Sequence, residues 1–424
     1  MKILNRILII IFTISLFNNI TTSQWVTTTS GTTNFLNSVQ SINAVTNYAA
    51  GFTGTVLKST NSGQTWSALT SPVIANINKV YFPPTGTATT GWVGSASGVY
   101  KTTNGGVNWV QQIGSGAFSD IFFTDLNTGI ALRTNNIFFK TTNGGTNFTQ
   151  FNFSNNSLVQ GSVISFAGGS NLYLLAVDNV NDTTFVFKSA NTGDSWTQIF
   201  KTPGIYFDME FINLNTGLMC GSNGTVKITT NGGTVWTSIN AGTTNNLLGI
   251  EYASSNIVYM VGASGTILKS TSGGSFWFPQ LSPVIATLRS IQVFPADDNG
   301  IIVGGGGNIV RTTNGGNIPT GINPVSGEIP QNFSLSQNYP NPFNPSTKIN
   351  FAISPSYMNN GLQPLVRLSL FDIVGREVAV LANENLSPGN YSIDFDASSL
   401  STGTYFYRLT AGEFSQTNKM VLIK

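Results

Sequence analysis

The sequence contains no histidine, and this absence removes several kinds of site at once. Ser-His-Asp triads, His-ligated zinc centres and histidine general bases are all excluded. Charge is also scarce, since only 8% of the 424 residues are Asp, Glu, Lys or Arg. The formal net charge of +2 gives no basic field, so we expect no nucleic-acid partner.

Cysteine is nearly absent as well. Cys220 is the single cysteine, so the chain cannot form an internal disulfide. It lies in the apolar segment GLMCGSNG (217–224), where we expect a small buried hydrophobe rather than a reactive thiol. Abundant glycine favours short strands and tight turns over long helices. A hydrophobic content of 40% is enough to build a large core.

Long hydrophobic runs are confined to the N-terminus. Residues 1–23 have the form of a secretory signal peptide, with Lys2 and Arg6 before the apolar run Ile7–Phe17. That run is short for a bilayer span, so we expect cleavage before Gln24; an uncleaved anchor is the alternative. Cleavage leaves 17 basic residues against 17 acidic ones and no later transmembrane segment.

The dominant feature that is present is one phrase repeated seven times. TTNGGVNW is typical of it, with a hydroxyl residue, an Asn-Gly-Gly turn and a closing aromatic ring. The copies lie at 59–66, 102–109, 141–148, 189–196, 229–236, 270–277 and 312–317. A period near forty residues is that of four short strands, which form one propeller blade. The sequence therefore predicts an all-β fold with a seven-bladed β-propeller over residues 24–317.

The two ends of this repeat region complement each other. The last phrase stops at Asn317 without its Trp or a fourth strand, whereas Gln24, Trp25 and Val26 resemble the missing half. We expect the N-terminal segment to supply the outer strand of the last blade. Such pairing closes the ring and limits exposed sheet edges.

The repeated phrase resembles the Asp-box, or BNR, repeat of sialidases and of many non-enzymatic propellers. It is also similar to the K-T-T-N-G-G-x-x-W repeats of photosystem II assembly factors. Asn or Ser replaces the Asp that names the motif. The resemblance implies that these turns lie between strands three and four of each blade, away from a ligand face. We therefore expect all seven to be structural.

A different pattern follows the repeats. Residues 318–332 are rich in proline and small polar residues, and we expect an interdomain linker there. Residues 333–424 show strand-like alternation, as in Val366, Leu368 and Leu370. About seven short strands in this length predict a small Ig-like β-sandwich.

Four motifs in the last ninety residues carry a second resemblance: QNYPNPFNPST, FDIVGREV, GTYFYRL and the terminal KMVLIK. Together they resemble the type A C-terminal sorting domain of the type IX secretion system of Bacteroidetes-type bacteria. The resemblance implies that this domain is an address handled by the secretion machinery. It also implies a secreted protein or one on the outer-membrane surface.

Alternate residues of each first strand are expected to point into the central channel. Aligning the repeats gives two inward sets, which are Ser41, Lys79, Asp120, Val163, Asp208, Gly249 and Ser290, then Asn43, Tyr81, Phe122, Ser165, Glu210, Glu251 and Gln292. The ligand-binding candidates among them are Lys79 and the carboxylates Asp120, Asp208, Glu210 and Glu251. These could bind a cation, or a basic or hydroxyl-rich ligand. The alternative is that they are solvated side chains lining a wet channel.

One long loop supplies further candidates. The segment DNVNDTT (178–184) lengthens the fourth repeat and carries Asp178 and Asp182. We expect it on the face opposite the Asn-Gly-Gly turns, where loops could contact a ligand.

No catalytic residue, metal site or cofactor is predicted from the sequence. We expect a secreted or cell-surface binding propeller that recognises a protein or a glycan and is not an enzyme. The alternative is a sialidase-like glycoside hydrolase, which would need paired carboxylates and three arginines. The propeller has only Arg133, Arg289 and Arg311, and Glu210 with Glu251 is the pair it would use. An assembly chaperone is a third interpretation, supported by fold analogy alone.

Overall fold

The computed structural model describes residues 25–83, 89–135, 137–153, 159–294, 299–316, 322–326, 330–355, 365–386 and 388–424. The predicted signal peptide, residues 1–23, lies outside these ranges. The regular structure in the described ranges is β-strand apart from single 3-10 turns, which are Phe52–Gly54, Ser222–Gly224, Ala263–Gly265 and Gly305–Gly307.

Seven four-stranded antiparallel sheets precede residue 317 in the described chain, and each is one blade. The segment β1 (Val26–Thr28) precedes the first complete blade. Blades 1 to 3 consist of β2 (Leu36–Ser41), β3 (Asn47–Gly51), β4 (Val56–Ser59), β5 (Ser67–Ala68), β6 (Ile77–Tyr81), β7 (Gly91–Ser95), β8 (Gly98–Thr102), β9 (Val110–Gly114), β10 (Phe118–Phe123), β11 (Gly129–Arg133), β12 (Ile137–Thr141) and β13 (Thr149–Asn152).

Blades 4 to 7 follow the same order. They consist of β14 (Gln160–Gly168), β15 (Asn171–Asp178), β16 (Thr183–Ser189), β17 (Thr197–Pro203), β18 (Tyr206–Phe211), β19 (Gly217–Gly221), β20 (Thr225–Thr229), β21 (Thr237–Asn240), β22 (Leu247–Tyr252), β23 (Val258–Gly262), β24 (Ile267–Ser270), β25 (Phe278–Pro279), β26 (Leu288–Phe294), β27 (Asn299–Gly304) and β28 (Ile309–Thr312). The fold class predicted from the sequence, a seven-bladed propeller, is confirmed.

The ring closes with strands from both ends of the propeller. β1 pairs with β28 in an antiparallel register that sets Val26 opposite Arg311 and Thr28 opposite Ile309. Trp25, just before β1, is fully buried and packs edge-to-face against the Tyr259 ring of blade 6, with centroids 6.1 Å apart. The predicted closure is confirmed, and it removes the unpaired edge that β28 would otherwise expose.

Each repeated phrase forms the turn between the third and fourth strands, and we call it the box turn. In blade 5, Thr229 Oγ1 accepts a hydrogen bond from the Gly233 amide at 3.0 Å, and Asn231 Oδ1 accepts one from the Val235 amide at 2.9 Å. The Trp236 indole donates to the Gly233 carbonyl at 2.9 Å. The two glycines adopt positive φ of 72° and 82°, which a side chain would strain. The box turn is therefore held by its own side chains.

The core lies between neighbouring blades. A ring on the second strand of one blade stacks on a Phe from the first strand of the next, as Trp92 does on Phe123 at 3.7 Å between centroids. Tyr173 stacks on Phe211 in the same way at 3.6 Å. These side chains are buried, so each contact removes large apolar surfaces from water and fixes adjacent sheets together.

Every first strand carries a β-bulge near its start. The register shifts there by one position in all seven blades. The bulged residues are Asn37, Asn78, Ser119, Ser162, Phe207, Leu248 and Arg289. A bulge re-aims the side chains that follow it, and here it sets which residues enter the channel.

The bulge also corrects the sequence alignment of blade 1. Ser38 lies opposite Ala50 in the register that sets Asp120 opposite Leu132, so Ser38 and Gln40 occupy the channel positions. The sequence alignment assigns Ser41 and Asn43 to these channel positions, and that assignment is wrong. Asn43 instead lies in the following turn, where its Oδ1 accepts the Thr46 amide at 2.8 Å. The alternation of polar and apolar residues fits both frames, and only strand pairing separates them.

The C-terminal domain is a sandwich of two four-stranded sheets, as predicted. One sheet contains β29 (Ile322–Ser326), β30 (Ser334–Leu335), β31 (Ser346–Ile353) and β34 (Gly389–Asp396), and the other β32 (Leu365–Phe371), β33 (Glu377–Asn385), β35 (Gly403–Ala411) and β36 (Phe414–Leu422). Their inner faces bury one apolar cluster that includes Ile393 and Tyr407. Because β29 pairs with β34, part of the segment 318–332 predicted as linker is a strand of this sandwich.

Candidate functional site

The first strands of the seven blades surround a cavity of about 710 Å³. Its wall also includes Thr134 and Asn179 from the hairpins between second and third strands, Gln160 at the start of β14, and Ile205 from the connection between blades 4 and 5. In the described chain, no box turn contributes to the wall. Since box turns and these hairpins lie at opposite ends of the strands, the cavity opens on the face away from the box turns.

An upper ring of channel side chains ties neighbouring blades together. Asp120 Oδ2 accepts a hydrogen bond from the Ile164 amide of blade 4 at 2.8 Å, and Asp208 Oδ2 accepts one from the Ile250 amide of blade 6 at 2.8 Å. Ser38 Oγ accepts the Val80 amide in the same position. The sequence could not show this role, because the partner amides belong to strands some forty residues away.

Lys79 forms an ion pair within this ring. Its Nζ lies 3.3 Å from Asp120 Oδ1, and the lysine side chain is 37% exposed while that of Asp120 is 3% exposed. Burial acts to lower the pKa of Lys79, but attraction to Asp120, then to Asp208 and Glu251, outweighs it, so the pKa of the ammonium rises. Lys79 thus stays charged and neutralises one channel carboxylate.

The two glutamates form a lower acidic wall on blades 5 and 6. Glu210 Oε2 accepts the Tyr252 amide at 2.9 Å, and Glu251 Oε1 accepts a short hydrogen bond from the Gln292 side chain. Burial, followed by repulsion from Asp208, raises the pKa of Glu210 to about 8. Burial and the proximity of Glu210 raise the pKa of Glu251 well above its usual value. Glu210 is therefore mostly protonated at neutral pH, and the pKa of Glu251 is shifted in the same direction.

An aromatic wall occupies the blades that precede these glutamates in the ring. Tyr81, Phe122 and Phe166 line the cavity on blades 2, 3 and 4, with successive ring centroids 5.3 and 5.5 Å apart. Phe166 is 37% exposed. We missed Phe166 in the sequence because its parity assigned it to the interface between blades. In a ring of seven, blade 6 faces blades 2 and 3, whereas blade 4 with Phe166 adjoins blade 5 with Glu210.

The loop candidates Asp178 and Asp182 lie at the hairpin between β15 and β16, and neither lines the cavity. Their role in ligand binding stays a prediction. Asp178 is buried in its own turn, where Oδ1 accepts the Val180 amide at 3.0 Å and Oδ2 the Asn181 side chain at 2.8 Å. The Asn181 hydrogen bond lowers the pKa of Asp178. Asp182 is exposed at the hairpin tip with a φ of 45°. Their neighbour Asn179 lines the cavity instead.

The three arginines of the propeller do not converge. Of these, Arg289 lines the cavity, whereas Arg133 and Arg311 do not. Arg311 lies in β28 opposite Val26, in the seam that closes the ring. Across the described ranges, no group of three or more His, Cys, Asp or Glu side chains is placed to hold a metal ion.

Comparison with known proteins separates the two domains. Residues 337–424 match the family model of a secretion system C-terminal sorting domain. A solved structure of YCF48 bound to D1 peptide is similar with a TM-score of 0.59 and 19% identity, over 69% of this chain and 97% of that one. A structure of YCF48 from Cyanidioschyzon merolae is similar with a TM-score of 0.57 and 17% identity, over 68% of this chain and 98% of that one.

A third solved structure widens the comparison. The WD40 β-propeller domain of Doa1 is similar with a TM-score of 0.54 and 11% identity, over 68% of this chain and 94% of that one. The comparison with curated proteins finds no match. At these identities the similarities establish the propeller fold and nothing finer.

The fold and the tail together define the class of protein: a β-propeller attached to a secretion sorting domain. A sorting domain of this kind is handled by the type IX secretion system, and it indicates a secreted or cell-surface protein of Bacteroidetes. Within the described chain, no helix has both the length and the hydrophobicity that a membrane span requires.

Proposed function

We propose that this chain is a non-enzymatic binding propeller that acts outside the cell and takes a protein or glycan ligand through the open mouth of its channel. The observation that carries the proposal is the cavity of about 710 Å³, open on one face and lined by both aromatic and polar side chains. Pockets that bind ligands have volumes of roughly 300–1,000 Å³ and combine apolar walls with a few convergent polar groups.

The hydrogen bonds of the channel carboxylates support binding rather than chemistry. Asp120, Asp208 and Glu210 each hold a backbone amide of the next blade. A carboxylate fixed in this way acts as part of the ring, whereas a general base must be free to reach a substrate proton. The similar YCF48 structure is a complex with a peptide, which supports a propeller of this shape as a binding scaffold.

Blocking the channel tests the proposal. Ser162 is a bulged residue that lines the cavity and is half-buried, so Ser162→Trp fills the mouth. Ser275 is exposed in the box turn of blade 6, and Ser275→Trp adds the same ring on the opposite face. Ligands found for the mature protein on glycan and peptide arrays should bind Ser162→Trp at least about tenfold more weakly, and Ser275→Trp unchanged. Equal binding by both variants would refute a channel ligand.

A glycoside hydrolase is the second candidate, because the raised pKa of Glu210 beside Glu251 is what a general acid needs. The dispersed arginines argue against a sialidase-like site. We expect no turnover of fluorogenic methylumbelliferyl glycosides by the mature protein. Turnover that disappears in Glu251→Gln would instead establish the enzyme.

A further inference from the structure

The cavity has two chemically different walls that adjoin at blades 4 and 5. Tyr81, Phe122 and Phe166 form the aromatic wall on blades 2 to 4, while Glu210 and Glu251 form the acidic wall on blades 5 and 6. Phe166 in particular leaves 37% of its surface exposed, where most first-strand aromatics are buried between blades.

The charges of the cavity are unbalanced. Its lining includes four carboxylates and two basic groups, so the fully ionised wall has a net charge of −2. Lys79 is paired with Asp120 on blades 2 and 3. Arg289 lies at the mouth, and within the described residues it forms no ion pair with Asp208. The acidic wall therefore lacks a cation of its own.

We propose that the channel binds an arginine side chain of a partner protein or peptide, with its guanidinium stacked on Phe122 and Phe166 and hydrogen-bonded to the acidic wall. This deepens the proposed binding function and rests on it. A guanidinium is flat, so it can lie on an aromatic face while its N–H groups donate in a fork to a carboxylate. A metal ion would gain nothing from three aromatic rings.

The protonation of the glutamates fits a missing counter-ion. Glu210 is surrounded by Asp208 on its own strand, Glu251 and Tyr252 on the next strand, and Lys79 across the channel. These surroundings keep its carboxyl mostly protonated at neutral pH. A bound guanidinium favours the carboxylate, so binding should release a proton and strengthen as pH rises from 6 to 9. Arginine stays charged throughout this range.

Peptide titration of the mature protein tests the inference. The probes are N-acetyl-Gly-Arg-Gly-amide, the same peptide with lysine, and the same peptide with citrulline, which has the shape of arginine without its charge. We expect the citrulline peptide to bind at least about tenfold more weakly than the arginine peptide. The affinity for arginine should rise with pH, and Glu210→Gln should flatten that rise.

Two aromatic variants provide the matched control. Phe166→Ala removes an exposed ring from the channel and should lower the affinity for the arginine peptide about tenfold. Phe276→Ala removes a ring of similar exposure, 45%, from a box turn on the other face, and should leave affinity unchanged. Free arginine amide tests whether the arginine belongs to a protein or peptide. Weaker binding of arginine amide than of the arginine peptide supports a protein partner, and equal binding overturns that part of the proposal.

The failures are distinguishable. Equal affinity for citrulline and arginine, or equal loss in the two Phe variants, overturns the arginine site. A neutral oligosaccharide such as cellotriose could instead bind wild type but not Ser162→Trp. That result overturns the arginine site but leaves the proposed binding function of the channel intact. If no array ligand or peptide is sensitive to Ser162→Trp, both proposals fail.

Discussion

The box turns and the channel wall repeat seven times around the same axis, but they differ in how strictly they repeat. Box turns keep most of their residues and their hydrogen bonds. Thr102 Oγ1 in blade 2 accepts a glycine amide at 2.9 Å, and Thr229 Oγ1 in blade 5 accepts the equivalent amide at 3.0 Å. The equivalent channel position holds Lys79 in one blade and Asp208 in another. Repetition on the outer strands therefore builds the blade, and variation on the inner strands builds the cavity.

The comparison teaches where function can reside on this scaffold. A box turn buries its hydroxyl, and its tryptophan is buried in blades 5 and 6, so a change there is expected to alter stability. A channel residue contacts the neighbouring blades and lines the cavity, so a substitution there changes the cavity wall. Stability and recognition are thus assigned to different strands of the same sheet. Tryptophan fluorescence can follow unfolding of the propeller alone, since all seven tryptophans precede residue 280.

The largest expected effect comes from removing a box tryptophan. Trp236 is buried, packs edge-to-face on Phe211 with centroids 5.8 Å apart, and bonds its own turn. Trp236→Ala should lower the free energy of unfolding by about 3–5 kcal/mol in urea titrations. Val235→Ala, at an exposed position of the same turn, should change it by less than about 0.5 kcal/mol. Similar losses in both would mean that the turn is not a core element.

The second prediction concerns pH and the channel. The pKa of Glu210 is about 8 in the folded state against 4.5 when free, so between these values the folded state binds more protons. The free energy of unfolding must then fall as pH rises from 5 to 8, by up to about 1 kcal/mol per unit. Glu210→Gln keeps an acceptor for the Tyr252 amide and should make this fall shallower.

An exposed acid supplies the control for that experiment. Asp182→Asn at the hairpin tip should leave the pH dependence of unfolding as it is in wild type. An unchanged slope in Glu210→Gln would show that the channel glutamate titrates normally, and the contrast between wall and box turn would weaken.

A smaller effect is expected from a box hydroxyl. Thr229 Oγ1 accepts two backbone amides in its turn, those of Asn231 and Gly233. Thr229→Val keeps the shape and leaves these donors without a partner, which should cost about 1–3 kcal/mol in the same titration. Thr234→Val, at an exposed hydroxyl of the same turn, is the control and should cost less than about 0.5 kcal/mol.

The smallest effect is a gain. Ser272 stands where the other box turns have Asn; its Oγ accepts the Phe276 amide at 3.0 Å and lies 3.3 Å from the Ser270 hydroxyl. Ser272→Asn restores the longer amide side chain and should stabilise the propeller by about 0.5 kcal/mol. Ser275→Asn, three residues further along the same turn, should give no gain in stability. A destabilised Ser272→Asn would show that blade 6 has adapted its turn to serine.

Much of the outer architecture could be predicted because its causes are local. The Asn-Gly-Gly signal requires positive φ at neighbouring residues, and that requirement is visible in the chain. The closing role of Trp25 followed from an incomplete last repeat. The channel was less predictable: Ser41 and Asn43 were assigned in place of Ser38 and Gln40, since a bulge changes parity without leaving a sequence signal. Phe166 was missed for a different reason: it has the parity of the residues that pack between blades, yet it is exposed.

The same limit applied to the polar candidates. Their residue types were evident, but the amides that Asp120 and Glu210 accept lie about forty residues away on the next blade. Asp178 shows the opposite case, because its partners are two and three residues away and an Asx turn could have been expected from Asp-x-x-Asn.

By itself, the sequence determined the strands, the turns, the number of blades and the sorting tail, because each depends on contacts within one repeat or one motif. The tertiary structure decided which side chains share the cavity, which carboxylates serve the ring, and that an aromatic wall adjoins an acidic one. Those facts depend on register and on neighbours brought together by closure of the ring, and a periodic sequence leaves both undetermined.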